Sequence, residues 1–238
     1  MLYDLSKEDG VFFSIQGEGI RTGELSVFIR MYGCNLDCEW CDTKHSHNKY
    51  NKISQYMSTE DIIEKVKSYN CKNIVITGGE PTLQNLNELI STLLLDEDVN
   101  ITIETNGTML NKLIGADWIL HIKLWSISPK IYSKGKLRVR FISEIIKFMD
   151  FAKLVDFNVQ LKLVISSVDE LKEFLEIIEL LKDVKHIPII FQPEASNYQV
   201  IYRDIVEYLL TNYNKYKDYN IRVMLQTHRV VWGDRVGV

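Results

Sequence analysis

Short β-branched, apolar runs alternate along this chain with segments whose apolar residues recur every three or four positions. The runs LSVFIRMY (25–32), NIVIT (73–77), NITIET (100–105), DWILHIKLWSIS (117–128), FNVQLKLVI (157–165), HIPIIFQ (186–192) and IRVMLQT (221–227) read as strands. Between them, STEDIIEKVKSY (58–69) starts with Ser58 as an N-cap and Asp61 three residues on, and Ile62, Ile63 and Val66 supply an apolar face. NLNELISTLLL (85–95), VRFISEIIKFMDFAKL (139–154), VDELKEFLEIIELLK (168–182) and YQVIYRDIVEYLL (198–210) carry the same helical period. The Asn-, Tyr- and Lys-rich stretches NKYNKISQY (48–56) and NYNKYKDYN (212–220) read as solvated loops or helix ends.

Strands that alternate with helices predict a mostly parallel sheet with helices outside it. Seven strands fall short of a closed eight-stranded barrel, so the expectation is an α/β fold with an open, partial βα barrel. The chain has 238 residues and shows no low-complexity linker or internal repeat, so a single domain spanning 1–238 is expected. The unusual residues collect at predicted strand ends. The cysteines follow the first strand, TGGEP (77–81) the second, ETNGT (104–108) the third, SPK (128–130) the fourth, QPE (192–194) the sixth and QTH (226–228) the seventh. Parallel βα sheets carry their sites on that carboxyl rim, so the clustering itself points to function.

Composition narrows the class. Hydrophobic residues make up 46% and charged residues 25%, as in a globular protein, and the net charge of -4 with no basic stripe disfavours direct nucleic-acid binding. No apolar run approaches the ~20 residues that span a bilayer, and MLYDLSKEDG lacks the basic-then-apolar order of a signal peptide. A cytoplasmic location is expected. That compartment is reducing, so clustered cysteines there point to metal binding or catalysis rather than to disulfides.

Cys34, Cys38 and Cys41 in GCNLDCEWCDTKH (33–45) have the spacing C-x3-C-x2-C. Thiolates suit iron–sulfur clusters, zinc or Cu(I). Three of them can hold three corners of a 4Fe–4S cube and leave the fourth iron open to a ligand, whereas a purely structural cluster takes four. Spacing alone also leaves open a zinc site completed by His45 or His47. Cys71, remote from the loop, reads as a small core residue. The two glycines of TGGEP let its backbone approach a ligand closely. Arg30 stands inside a largely apolar strand, and its fork suits either a ligand carboxylate or a structural salt bridge.

With C-x3-C-x2-C after the first strand and GGEP after the second, the chain resembles the radical S-adenosylmethionine (SAM) superfamily along nearly its whole length. The resemblance implies that Cys34, Cys38 and Cys41 hold a 4Fe–4S cluster (loop 33–47) whose open iron chelates SAM, cleaved on reduction to methionine and a 5′-deoxyadenosyl radical. FFSIQGEGIRTG, FIRMYGCNLDCEWCDTKH, ITGGEP, IETNGT, SPK and QTH together resemble the 7-carboxy-7-deazaguanine synthase family. This narrower likeness implies a Mg2+-dependent ring contraction of 6-carboxy-5,6,7,8-tetrahydropterin with loss of ammonia, in queuosine or other 7-deazapurine synthesis. It also implies a homodimer and a flavodoxin-like electron donor. By the same likeness, Ile15, Gln16, Gly17, Glu18, Arg30, Thr77 and His228 meet the pterin, and Thr43 ligates Mg2+. Trp40, Cys41, Asp42, Gly78, Gly79, Glu104, Ser128, Pro129, Lys130 and Gln192 meet SAM, and His45 supports the loop or the substrate. A glycyl-radical activating enzyme shares the cysteine spacing, but QGEG, CDTKH and QTH speak against it. A non-enzymatic zinc module is the reading from outside the enzymes, and a colourless protein with one tight zinc would favour it.

Overall fold

The fold is seen in a computed structural model that describes residues 1–38, 41–50, 52–130, 147–156, 158–180, 184–194 and 197–238. The chain starts with β1 (Leu2–Ser6), passes through a hairpin of β2 (Val11–Ile15) and β3 (Leu25–Met31), and forms β4 (Ser54–Ser58) after the cysteine loop. Then follow β5 (Asn73–Gly78), β6 (Asn100–Thr105), β7 (Leu124–Ile127), β8 (Val159–Ile165), β9 (Ile189–Pro193) and β10 (Ile221–Val223). All ten join one sheet in the order β10-β9-β8-β7-β6-β5-β3-β1-β4, with β2 also on β3. From β3 to β10 the pairing is parallel throughout, which bears out the seven-stranded open barrel; β1, β2 and β4 pair antiparallel at one end.

The helices that cover the sheet are α1 (Thr59–Ser68), α2 (Asn87–Leu93), a helical stretch at 147–154, α3 (Val168–Leu180) and α4 (Tyr198–Thr211); α5 (Thr227–Trp232) follows β10. Ser58 caps α1 as expected. Its hydroxyl accepts from the Asp61 amide, and the Asp61 carboxylate reaches back to the Ser58 amide, a capping box.

Some boundaries differ from the sequence reading. Residues 117–128 are not one strand: Asp117–His121 form a 3-10 turn that buries Trp118 and Ile119, and the strand begins at Leu124. The Trp118 indole donates to Asn87 Oδ1 at 2.8 Å and stacks near Trp125, so packing against α2 takes this segment out of extended form. The last strand ends at Val223, and Thr227 already starts α5. The loop assigned to 48–56 contains most of β4, whose Leu2↔Ser58 to Ser6↔Ser54 pairing with β1 orders an otherwise polar stretch. Cys71 is half-buried at the edge of the core rather than inside it, its thiol donating to the Leu25 carbonyl at 3.3 Å. Residues 139–146, the first half of one expected helix, lie outside the described residues, as do 181–182.

Successive strand residues face opposite sides of a sheet. Val27, Ile29 and Met31, Ile74 and Ile76, Ile101 and Ile103, Leu161 and Leu163, and Ile189 and Phe191 face the helices and join one continuous apolar core. Their neighbours Phe28 and Arg30, Thr77, Glu104, Ser126, Lys162 and Val164, and Gln192 and Glu194 line the barrel interior, with Val75 packed beneath Phe28. The interior's own apolar cluster is small: Phe12, Phe28 and Val75.

Candidate active site

Above that small apolar floor opens a polar cleft at the carboxyl ends of the strands, with about 1270 Å³ of empty space counted out to solvent. Of the residues singled out from sequence, Ile15, Gln16, Gly17, Glu18, Arg30, Cys34, Cys38, Cys41, Asp42, Thr43, Thr77, Gly78, Gly79, Glu104, Ser128, Lys130, Gln192 and His228 all line it. Pro129 is adjacent in the chain to Ser128 and Lys130, Trp40 lies outside the described residues, and His45 sits behind the wall on Asp9.

The cysteine loop is strapped to the TGGEP turn. The Gly79 amide donates to the Met31 carbonyl at 3.1 Å, and the Glu80 amide to the Gly33 carbonyl at 2.8 Å. Gly78 has φ +143°, and a Cβ on it would meet the Met31 carbonyl oxygen at 2.2 Å. A Cβ on Gly79 would meet the Gly33 carbonyl oxygen at 2.1 Å. The two glycines are therefore what lets these backbones touch. Glu80 is fully buried and ties the turn to the next strand. Its carboxylate accepts from the Thr82 and Thr105 hydroxyls and from the Thr82 and Asn106 amides. Burial raises its pKa, against the effect of those bonds.

The QGEG loop crosses the cleft. Gln16 exchanges backbone bonds with Glu24 and Gly23, and its side chain donates to Glu104 at 3.1 Å; Thr77 donates to the other Glu104 oxygen at 2.9 Å. Glu18 is an ion-pair partner of Lys162 from β8. It also accepts from Gln192 at 2.9 Å and from Gln226 at 2.5 Å. Burial alone would raise the Glu18 carboxyl, but the charges of Lys162 and His228 and these hydrogen bonds outweigh it and hold it far below the usual range. On Lys162, burial works downward, and the charges of Glu18 and Glu104 override it and raise its pKa. Lys130, which donates to Ser128 at 2.7 Å, goes the other way: burial and then the Lys162 charge lower it. The Thr227 amide bonds the Gly17 carbonyl at 2.9 Å, and a Cβ on Gly17 would strike His228 Nδ1 at 2.0 Å, so the QTH segment packs directly on the loop.

The donor set fits a cluster and SAM. Burial pushes up the thiols of Cys34 and Cys38, the latter to about 11, so without metal they carry protons that thiolate ligation would release. Two sulfurs on one zinc lie no more than about 4.6 Å apart, because each bond is about 2.3 Å. Among the described residues no three Cys, His, Asp or Glu side chains are gathered so as to hold a single metal ion. The histidines have other partners: His45 Nε2 pairs with Asp9 at 3.1 Å, while His47 bonds the Leu36 carbonyl through Nε2 and the Lys49 amide through Nδ1. Gln192 Oε1 is buried on the cleft wall with no partner among the described residues, an acceptor suited to an N–H group of a ligand. Thr43 Oγ1 lies 3.7 Å from Cys41 Sγ.

Several contributors escaped the sequence reading. Lys162 and Ser126 were hidden inside strands, where the signal was alternation of polar with apolar residues. Val238 lines the cleft because the tail folds back, and Asp9 lies beneath Arg30.

Comparison with known proteins agrees with this geometry. The Radical SAM superfamily profile matches residues 28–185. The chain is 32% identical over 222 residues to a 7-carboxy-7-deazaguanine synthase of Clostridium acetobutylicum, covering 93% of each chain. It is 34% identical to one of Buchnera aphidicola, covering 80% of this chain and 85% of that one. The crystal structure of QueE from Escherichia coli superposes with a TM-score of 0.67 over 96% of this chain and 95% of that chain; at 24% identity this likeness speaks for the fold. The chain belongs to the radical SAM superfamily and, within it, to the 7-carboxy-7-deazaguanine synthase family.

Proposed function

We propose that this enzyme contracts the ring of 6-carboxy-5,6,7,8-tetrahydropterin to 7-carboxy-7-deazaguanine with release of ammonia. The observation that carries the reading is the junction of the Cys34–Cys41 loop with the Gly78–Gly79 turn at the mouth of a cleft that also holds Arg30, Thr77 and Glu104. In this reading Cys34, Cys38 and Cys41 hold the 4Fe–4S cluster, and Gly79, Lys130, Ser128 and Gln192 hold SAM. The bound cluster and SAM supply the one-electron chemistry that side chains lack.

The chain's own residues bind, orient and exclude water. Arg30 meets the pterin carboxylate as a charge-assisted pair. Thr43 would supply a hard hydroxyl ligand to Mg2+, which would polarise an oxygen of the substrate. Gln16, Thr77 and Glu104 form one hydrogen-bonded wall, in which Glu104 accepts both hydrogen bonds. Lys162 offsets the Glu18 charge, so the loop presents no net carboxylate charge to the cleft. Phe12 and Phe28, stacked at 5.0 Å, close the floor to water.

A homodimer, a flavodoxin-like electron donor and a cytoplasmic site of action complete the proposal; light scattering of the purified protein tests the dimer. Anaerobic holoenzyme incubated with SAM, Mg2+, a reductant and the carboxypterin should yield 7-carboxy-7-deazaguanine and ammonia. SAM cleavage with the pterin unchanged would overturn the substrate.

A further inference from the structure

Asp9 occupies the turn between β1 and β2, outside every motif above, yet its side chain is wholly buried among three donors from three segments. The Ser6 hydroxyl donates to Oδ1 at 2.6 Å from its own turn. Arg30 Nε of β3 pairs with Oδ2. His45 Nε2, from the 3-10 turn Lys44–Ser46 just after Thr43, lies 3.1 Å from Oδ1. The tail also reaches this point: Gly237 lies so close that a Cβ there would come within 3.5 Å of Asp9 Cβ.

We infer that Asp9 is the positioning residue of this site, which fixes the Arg30 guanidinium and, through His45, the cluster loop in one shared geometry. The inference rests on the reading of Arg30 as the carboxylate-binding group. With Nε held by Asp9 and the guanidinium carbon 5.4 Å from the centre of the Phe12 ring, Arg30 is clamped on one edge and one face. A ligand carboxylate is then met by the Nη groups in a preset orientation, which lowers the ordering cost of binding. The Gly33 amide donates to the Ser46 carbonyl at 2.9 Å, so the His45 turn also holds the residue just before Cys34.

Two effects of Asp9→Asn oppose each other. Loss of the negative charge strengthens the pull of Arg30 on an anion. Loss of an all-acceptor group puts an amide N–H against donors and releases at least one of them. A positioning role requires the second to win. In the reconstituted holoenzyme, Asp9→Asn should raise the KM for the carboxypterin about tenfold or more, a typical loss when a charged hydrogen bond is broken. Affinity for 5,6,7,8-tetrahydropterin without the carboxylate should change less than twofold. In an Arg30→Ala background, Asp9→Asn should add little, because coupled residues are not additive. Ser6→Ala, a milder change, should show the same selectivity at smaller size. An unchanged or lower KM, equal losses for both pterins, or full additivity would overturn the inference. If the wild-type holoenzyme does not distinguish the two pterins, the substrate reading fails instead. Hydrogen exchange then decides about Asp9: Asp9→Asn must speed exchange at the Gly33, Ser46 and His47 amides and leave β8 unchanged, and unaltered exchange there overturns the inference.

Discussion

The two faces of the same strands do different work. On β8, Leu161 and Leu163 face the helices within a continuous apolar core, while Lys162, between them, carries a buried ion pair across the cleft. On β6, Ile103 packs outward and Glu104 joins Gln16 and Thr77. One residue's shift along a strand exchanges packing for chemistry. The outer face is redundant, because many side chains share its burial. The inner face is a set of single, mutually dependent polar contacts.

This contrast can be broken at graded cost. The largest effect belongs to the loop that the inner face supports: Cys38→Ser should abolish cluster assembly, with iron content and product both falling to background. Next come paired substitutions on β8. Lys162→Met strands Glu18 and should cost about 3–5 kcal/mol in denaturant unfolding, partly recovered by adding Glu18→Gln. Leu163→Ala should cost about 2–5 kcal/mol as an outer-face cavity, yet leave kcat and KM of the folded fraction unchanged. If Leu163→Ala shifts KM as Lys162→Met does, the separation of faces is wrong.

A smaller effect is pH-dependent. Burial alone would raise the Asp9 carboxyl, but the His45 hydrogen bond, the Arg30 charge and the Ser6 hydroxyl together hold it at about 2. A carboxyl depressed in the folded state stabilises fully above its unfolded pKa, and that contribution disappears as pH falls through the folded value. The wild type should therefore lose about 2 kcal/mol between roughly pH 4 and pH 2 from this group, and Asp9→Asn should flatten that part of the acid-unfolding curve. The smallest effect lies farthest from the cleft: Ser58→Ala should lose the α1 cap, about 1 kcal/mol, with no change in activity.

The sequence reading reached what is local. Three cysteines within eight residues and paired glycines after a strand are visible without a structure, because their chemistry depends on neighbours in the chain. The parallel strands were visible for the same reason, as short β-branched runs. Lys162 was missed although NVQLKLVI alternates polar and apolar residues, a pattern that marks a strand with one apolar and one polar face. Asp9 could not be found this way. Its partners Arg30 and His45 stand 21 and 36 residues away, and only the sheet brings them together. β4 was hidden because pairing with β1, rather than its own composition, orders it.

The central claim is that the Cys34–Cys38–Cys41 loop holds a cluster with one iron open to SAM. Electron paramagnetic resonance of the reduced, anaerobically reconstituted protein tests it most directly. Addition of SAM should shift the cluster's g-values. A spectrum indifferent to SAM, or protein that takes up zinc in place of iron and sulfide, would contradict the account.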